Sequence, residues 1–287
     1  MNLASKCSQW TGKGKAGTHV DVELTSSTGK TLRFFVRFHT NLAASVDWGD
    51  GSPVQAIPYQ TGDVYVSHTY ASYGNYTVVF KELKGIGFRP LDGMSQYNYD
   101  NAVTSVVDYS GRLEDAPSAC FKYATRLKRF IAPNCRWLGQ RSFANCTNLE
   151  EVRVGKVYIA YDGTFQYCPK LVKFETESMG QCWSYVWMGC TALKELRLGS
   201  VTQFATMEFD SCPNLMDIYI SNKTVAQVKQ VASEGNIVAG YSARFPWYAN
   251  ANCRFHCTDG VVLGNGTIIE QFGERKTHEH EVRQARQ

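Results

Sequence analysis

No stretch of this chain approaches the ~20 consecutive apolar residues that a membrane-spanning helix needs. The first twenty residues, MNLASKCSQWTGKGKAGTHV, hold no apolar core of signal-peptide length. The chain as given therefore reads as soluble, either made without secretion or with a leader already removed. Charge of one sign is also missing. Basic residues number 30 and acidic residues 26, for a formal net charge of +4. No lysine–arginine run gathers on one segment, which argues against a nucleic-acid stripe. The usual catalytic signatures are lacking too: there is no G-x-S-x-G and no H-E-x-x-H. Gly29-Lys30-Thr31 has Leu24 where a phosphate loop needs glycine, and GKGKAG (Gly12–Gly17) has no lysine after its last glycine.

What is present is globular: 287 residues, 44% hydrophobic, enough for about two domains with real cores. Sixteen tyrosines and 24 glycines point to strands and turns more than to long helices.

Periodicity decides the larger part of the fold. Phe121, Phe143, Phe165, Trp187 and Phe209 recur every 22 residues. Three positions after each stands Ala124, Cys146, Cys168, Cys190 or Cys212. A further three brings Leu127, Leu149, Leu171, Leu193 or Leu215, and three more Phe130, Val152, Phe174, Leu196 or Ile218. Cys135, Val157, Met179 and Val201 make another apolar column, and Leu138, Ala160, Cys182 and Phe204 one more. Each unit is too short to bury its own apolar side, so the units must stack and share a core. LEEVRV, LVKFET, LKELRL and LMDIYI alternate as strands do and would align in a parallel sheet. The aromatic-x2-Cys half is expected to form a short helical turn opposite that sheet.

The pattern closely resembles the BspA-like leucine-rich repeats, over about residues 119–220. FPWYANANCRFHCTDGVV (Phe245 to Val262) looks like the closing segment of such proteins. Ala124 departs from the motif's cysteine. The family is linked to surface adhesion in host-associated bacteria and their phages, so the resemblance implies binding and no catalytic residues.

Residues 17–83 read differently. HVDVELT, TLRFFVRF, ASVDWGD and NYTVVFKE are strand-like and separated by turn-rich SSTGK, GDGSP and ASYGN. Asp47-Trp48-Gly49-Asp50-Gly51-Ser52, with His68-Thr69-Tyr70 and Gly74-Asn75-Tyr76-Thr77-Val78, is similar to the PKD-type sandwich. That resemblance implies that WGDG closes a hairpin and that the second motif forms a late strand pair. Gly49 and Gly51 suit positive φ, Asp50 can bond its own backbone, and Trp48 is expected in the core.

The expected fold is mainly β with short helices: an immunoglobulin-like β-sandwich followed by a leucine-rich-repeat solenoid of 22-residue period. The divisions are a tail (1–16), the sandwich (17–83), a linker and N-terminal cap (84–118), the repeats (119–220), a C-terminal cap (221–270) and a polar tail (271–287).

Six cysteines, Cys135, Cys146, Cys168, Cys182, Cys190 and Cys212, sit in apolar columns and read as small hydrophobes. Cys253-Arg-Phe-His256-Cys257 lacks a second cysteine pair at zinc-finger spacing, leaving a strand pair or a disulfide. Asp47 and Asp50 supply only two carboxylates towards calcium, and the turn accounts for Asp50. No cofactor, metal or catalytic residue is expected. Between the inward positions run two outward columns: Glu151, Lys173, Glu195, Asp217 and Arg153, Glu175, Arg197, Tyr219. Strands about 4.8 Å apart would let their alternating charges neutralise one another, making this face a poor trap for anionic partners. The better candidates for ligand binding are aromatic residues off the core columns: Tyr158, Tyr161, Tyr167, Trp183 and Tyr185 in the connecting arcs, with Trp247 and Tyr248 near the end. The alternative is that these rings lean inward and seal the repeat edges.

The expected function is non-catalytic adhesion or receptor recognition, with a surface glycan or protein receptor as partner. The expected setting is a phage virion, alongside other virion proteins, or a bacterial cell surface, and oligomers fit either. Rival readings are a glycan-active enzyme with accessory modules and a purely structural subunit.

Overall fold

The computed structural model describes residues 15–39, 42–88, 102–203, 211–234 and 252–272, and nearly all regular structure among them is β. The chain opens with β1 (Thr18–Leu24), β2 (Thr31–Phe38), β3 (Ala44–Asp47), β4 (Gln55–Ile57), β5 (Val64–Thr69), β6 (Gly74–Lys81) and β7 (Leu83–Phe88). In β1 the alternation is clean: Val20, Val22 and Leu24 are buried, and His19, Asp21 and Glu23 between them are not. Antiparallel pairing builds two layers, β4–β3–β6–β1 and β5–β2–β7. Phe34, Trp48 and Phe80 meet in the core. The WGDG turn joins β3 to β4 as expected, with Gly49 at φ 77° and Gly51 at φ 85°. At Gly49 a Cβ would stand 2.3 Å from the Thr77 carbonyl oxygen, so only glycine fits. One detail differs from expectation. β5 and β6 are consecutive but do not pair with each other; β5 joins β2, while β6 joins β1 and β3. The chain changes layer after Tyr70, whose buried hydroxyl donates to the Trp48 carbonyl at 2.9 Å and anchors the crossing.

Neither layer stops at the end of this region. β8 (Val103–Asp108) pairs antiparallel with β1 on one side and parallel with β10 (Arg129–Ala132) on the other. In the second layer β9 (Asp115–Ala116) touches β7 and pairs parallel with β11 (Trp137–Leu138). Both front layers thus run directly into the two sheets of the repeats. Asp108, fully buried at this junction, accepts hydrogen bonds from the Thr18 hydroxyl, the Ser110 amide and hydroxyl, and the Leu113 amide. Such satisfaction is what makes a buried carboxylate tolerable.

The solenoid continues through β12 (Glu151–Ala160), β13 (Lys173–Cys182), β14 (Glu195–Gln203) and β15 (Asp217–Ile220), parallel and in register at the 22-residue interval: Val152 pairs with Phe174, Phe174 with Leu196 and Leu196 with Ile218. β12 and β13 each bend from the first sheet into the second. Inward spacing accordingly changes from two residues (Val152, Val154) to three (Val157, Ala160). The aromatic column forms a buried row. Phe121 stacks on Phe143 at 5.7 Å between centroids, and Phe143 on Phe165 at 5.3 Å, with Trp187 buried in the same column. Phe204 and Phe209 lie outside the described residues.

The arcs that carry this row are not helical, contrary to expectation. Single i→i+3 bonds, such as Ser142 N–H to Gly139 O and Cys146 N–H to Phe143 O, are interrupted by positive φ at two places per arc. These are Ala119 and Tyr123, Arg141 and Asn145, Gly163 and Tyr167, Tyr185 and Gly189. A left-handed residue every fourth position stops helix propagation. The freed amides instead reach the next coil: Phe121, Phe143 and Phe165 donate to the carbonyls of Ser142, Thr164 and Val186.

The only helix among the described residues is α1 (Val225–Glu234). It starts with a reciprocal cap in which the Gln227 amide donates to Thr224 Oγ1 and the Thr224 amide to Gln227 Oε1. β16 (Arg254–His256) then adds parallel to β15, and β17 (Gly260–Leu263) and β18 (Ile268–Gln271) finish the sheet antiparallel. Cys253 and Cys257 flank β16 as buried free thiols, so the strand pair, not a disulfide, accounts for that motif.

Candidate functional site

The two sheets of the solenoid present opposite kinds of surface. On the first, register places Glu151 beside Lys173 and Arg153 beside Glu175. Arg153 Nε lies 2.7 Å from Glu151 and 3.8 Å from Glu175, and Lys173 Nζ reaches both glutamates at 3.8 and 3.9 Å. Further along, Arg197 bonds Glu195 at 2.5 Å and stands over the Tyr219 ring. At the far end Asp217 accepts two hydrogen bonds from Arg254, and His256 Nε2 lies 2.7 Å from it. Burial works against the Asp217 charge, yet the bonds from Arg254 and His256 outweigh it and hold the carboxyl below its ordinary value. Each exposed pair contributes little, about 0–1 kcal/mol. Collectively they leave the charges of this face occupied with one another.

The second sheet and its arcs carry exposed rings. Tyr158 is 52% exposed, Tyr167 45%, Trp183 44% and Tyr185 41%; Tyr161 is half-buried. The rings therefore point outward and do not seal the repeat edges. They also associate: Tyr161 and Trp183 lie 5.3 Å apart across neighbouring coils. Tyr158 meets Trp137 edge-on at 5.7 Å, with the Arg136 guanidinium 5.9 Å from the Tyr158 centroid. Tyr167 stands apart from these pairs, its ring against the backbone of Gly189. Trp247 and Tyr248 lie outside the described residues.

Trp137 belongs to this surface and was missed by sequence reasoning. Its signal was available, because it immediately precedes the inward Leu138 and so must face out on a strand.

In the front region the Asp47 and Asp50 carboxylates serve their own turns. Asp47 accepts from the Gly49 amide at 2.9 Å and Asp50 from the Ser52 amide at 3.1 Å. Asp50 also lies 2.6 Å from His68 Nε2, and the His68 ring stacks on Trp48. Hydrogen bonding by Ser52, then by His68, holds Asp50 down at about 2. Among the described residues no three His, Cys, Asp or Glu side chains gather as a metal set. No helix there is long and apolar enough to cross a membrane.

Residues 95–236 match the model of the BspA type leucine rich repeat region, in six copies. The repeat region is a BspA-type leucine-rich repeat. Six parallel strands of the first sheet, β8, β10, β12, β13, β14 and β15, stand within that span, so β8 begins the stack one coil ahead of the Phe121-based count. Repeats of this type are common in surface and adhesion proteins, and leucine-rich repeats generally mediate protein binding. No curated protein and no solved structure matches the chain.

Proposed function

We propose that this protein is a non-catalytic recognition protein that binds a surface glycan or protein receptor through the aromatic side of its solenoid. The observation that carries the reading is the contrast between the two sheets. One consumes its charges internally, and the other holds Trp137, Tyr158, Tyr161 and Trp183 in outward pairs on a rigid frame. Flat rings offer contact area at small entropic cost, and a repeat scaffold fixes their spacing.

The front layers fit a PKD-type, immunoglobulin-like sandwich acting as spacer or anchor. The stacking of Trp48 with His68 and the Tyr70 hydroxyl on the Trp48 carbonyl support that assignment by tying its two motifs together. The setting proposed is a bacterial cell surface or a phage particle, as the repeat family suggests. Glycan hydrolysis requires paired carboxylates flanking a cleft. Glu151, Glu175, Glu195 and Asp217 are instead paired with arginine, lysine or histidine along a ladder, which favours binding over turnover. The test is saturable retention of the labelled protein on bacterial and host cell surfaces, run beside a glycoside panel. Retention without turnover is expected; turnover abolished by one carboxylate substitution would overturn the reading.

A further inference from the structure

Within this surface the β13 coil stands apart chemically. From Ser178 to Leu193 no residue is charged. Gly180, in the outward column next to Tyr158, presents bare backbone; a Cβ there would lie 2.3 Å from the Tyr158 carbonyl oxygen. Register confirms the adjacency, since Val157 pairs with Met179 and Ile159 with Gln181, on either side of Tyr158 and Gly180. The result is a shelf floored by Gly180. Tyr158 rises at one edge, and the Tyr161–Trp183 pair lies three residues further along the same two coils. Exposed Gln181 stands between Gly180 and Trp183, and half-buried Ser184, just past Trp183, donates its amide to Asp162 beside Tyr161. Basic side chains, Arg136 and Lys156, border the shelf only on the preceding coils.

We infer that this shelf binds a neutral glycan chain, with sugar rings stacked on Tyr158, Tyr161 and Trp183 and hydroxyls meeting Gln181; the inference rests on the recognition reading above. The chemistry selects this occupant. An anionic polymer would need cations, and from Ser178 to Leu193 there are none. A protein hot spot favours a closed, desolvated patch, whereas here Gln181 and half-buried Gly180 separate Tyr158 from the Tyr161–Trp183 pair. The apolar faces of sugars match separated aromatic rings, and their hydroxyls match neutral donors and acceptors. Tyr158 and Tyr161 stand on one coil and Trp183 on the next, about 4.8 Å away, so a chain lying along the strand direction meets Tyr158 first and the Tyr161–Trp183 pair after it.

The experiment applies the full chain to an immobilised panel of neutral oligosaccharides built on glucose, mannose, galactose and N-acetylglucosamine. Wild type should be retained on at least one, with little change from low to high salt. Trp183→Ala should weaken retention about tenfold, in line with one lost stacking contact, and leave the melting temperature unchanged, while Trp183→Phe should restore most of it. No retention on any member, equal retention by Trp183→Ala, or loss of retention with salt overturns the inference. If glycan-stripped cells or a protein ligand are still held, and Trp183→Ala abolishes this, the glycan assignment fails while recognition by this surface stands. If no surface is held at all, both fail.

Discussion

The Cys168 thiol donates to the Phe143 carbonyl one coil back, at 3.1 Å. The relation recurs along the stack: Cys146 to Phe121 at 3.0 Å, Cys190 to Phe165 at 3.2 Å and Cys212 to Trp187 at 3.0 Å. The column therefore uses cysteine both as a small apolar filler and as the donor to a buried carbonyl.

The Phe143 carbonyl also accepts from the Cys146 amide, so loss of the thiol removes one of its two bonds and leaves it paired. Cys168→Ala is expected to destabilise by about 0.5–1.5 kcal/mol more than Cys182→Ala, which removes an equally buried thiol from a column without this ladder. Denaturant unfolding of the two variants measures the difference, and equal losses would reduce the column to simple packing.

Burial also raises the thiol pKa values, to about 12 at Cys253 and Cys257 against an ordinary 9.0, and further up inside the repeats. The folded state thus holds these protons more tightly than the unfolded chain. Their contribution to stability is complete below pH 9.0 and is lost as pH rises above it, because unfolding then releases thiolates. Stability should be level between neutral pH and about 8 and fall beyond 9. In the same measurements a thiol reagent should reach the nine described cysteines only after denaturant is added.

Because β8 and β9 carry both sheets across the junction, the front layers and the repeats should unfold together. Val106, buried between the sheets in β8, tests this. Val106→Ala should lower stability by about 1–3 kcal/mol and move the Trp48 and Trp187 fluorescence transitions by the same amount. Separate transitions would show two independent units.

Much of this was legible in the residues. The columns at Phe143, Cys168, Leu193 and Ile218 could be read directly because a 22-residue stack repeats one environment, and the self-paired charges followed from the same register. The arcs were not legible as turns. Arg141, Asn145, Tyr167 and Tyr185 adopt positive φ without being glycine, so inter-coil hydrogen bonding overrides local preference there. The junction was hidden as well. β8 and β9 carry none of the phenylalanine, cysteine and leucine markers of the later repeats, and Asp108 gains its partners only when Thr18 and Leu113 come together. The rings at Tyr158, Tyr161 and Trp183 could be named, but not their pairing or the Gly180 floor, which depend on which coils are neighbours.

The most direct measurement compares the two solenoid faces in one binding assay on a responsive cell surface. A Tyr158→Ala and Trp183→Ala double variant should lose binding while keeping the wild-type melting temperature. A Lys173→Gln and Glu175→Gln double variant, which uncouples charges on the first sheet, should bind as wild type does. Loss of binding in the charge variant with retention in the aromatic one would contradict the account.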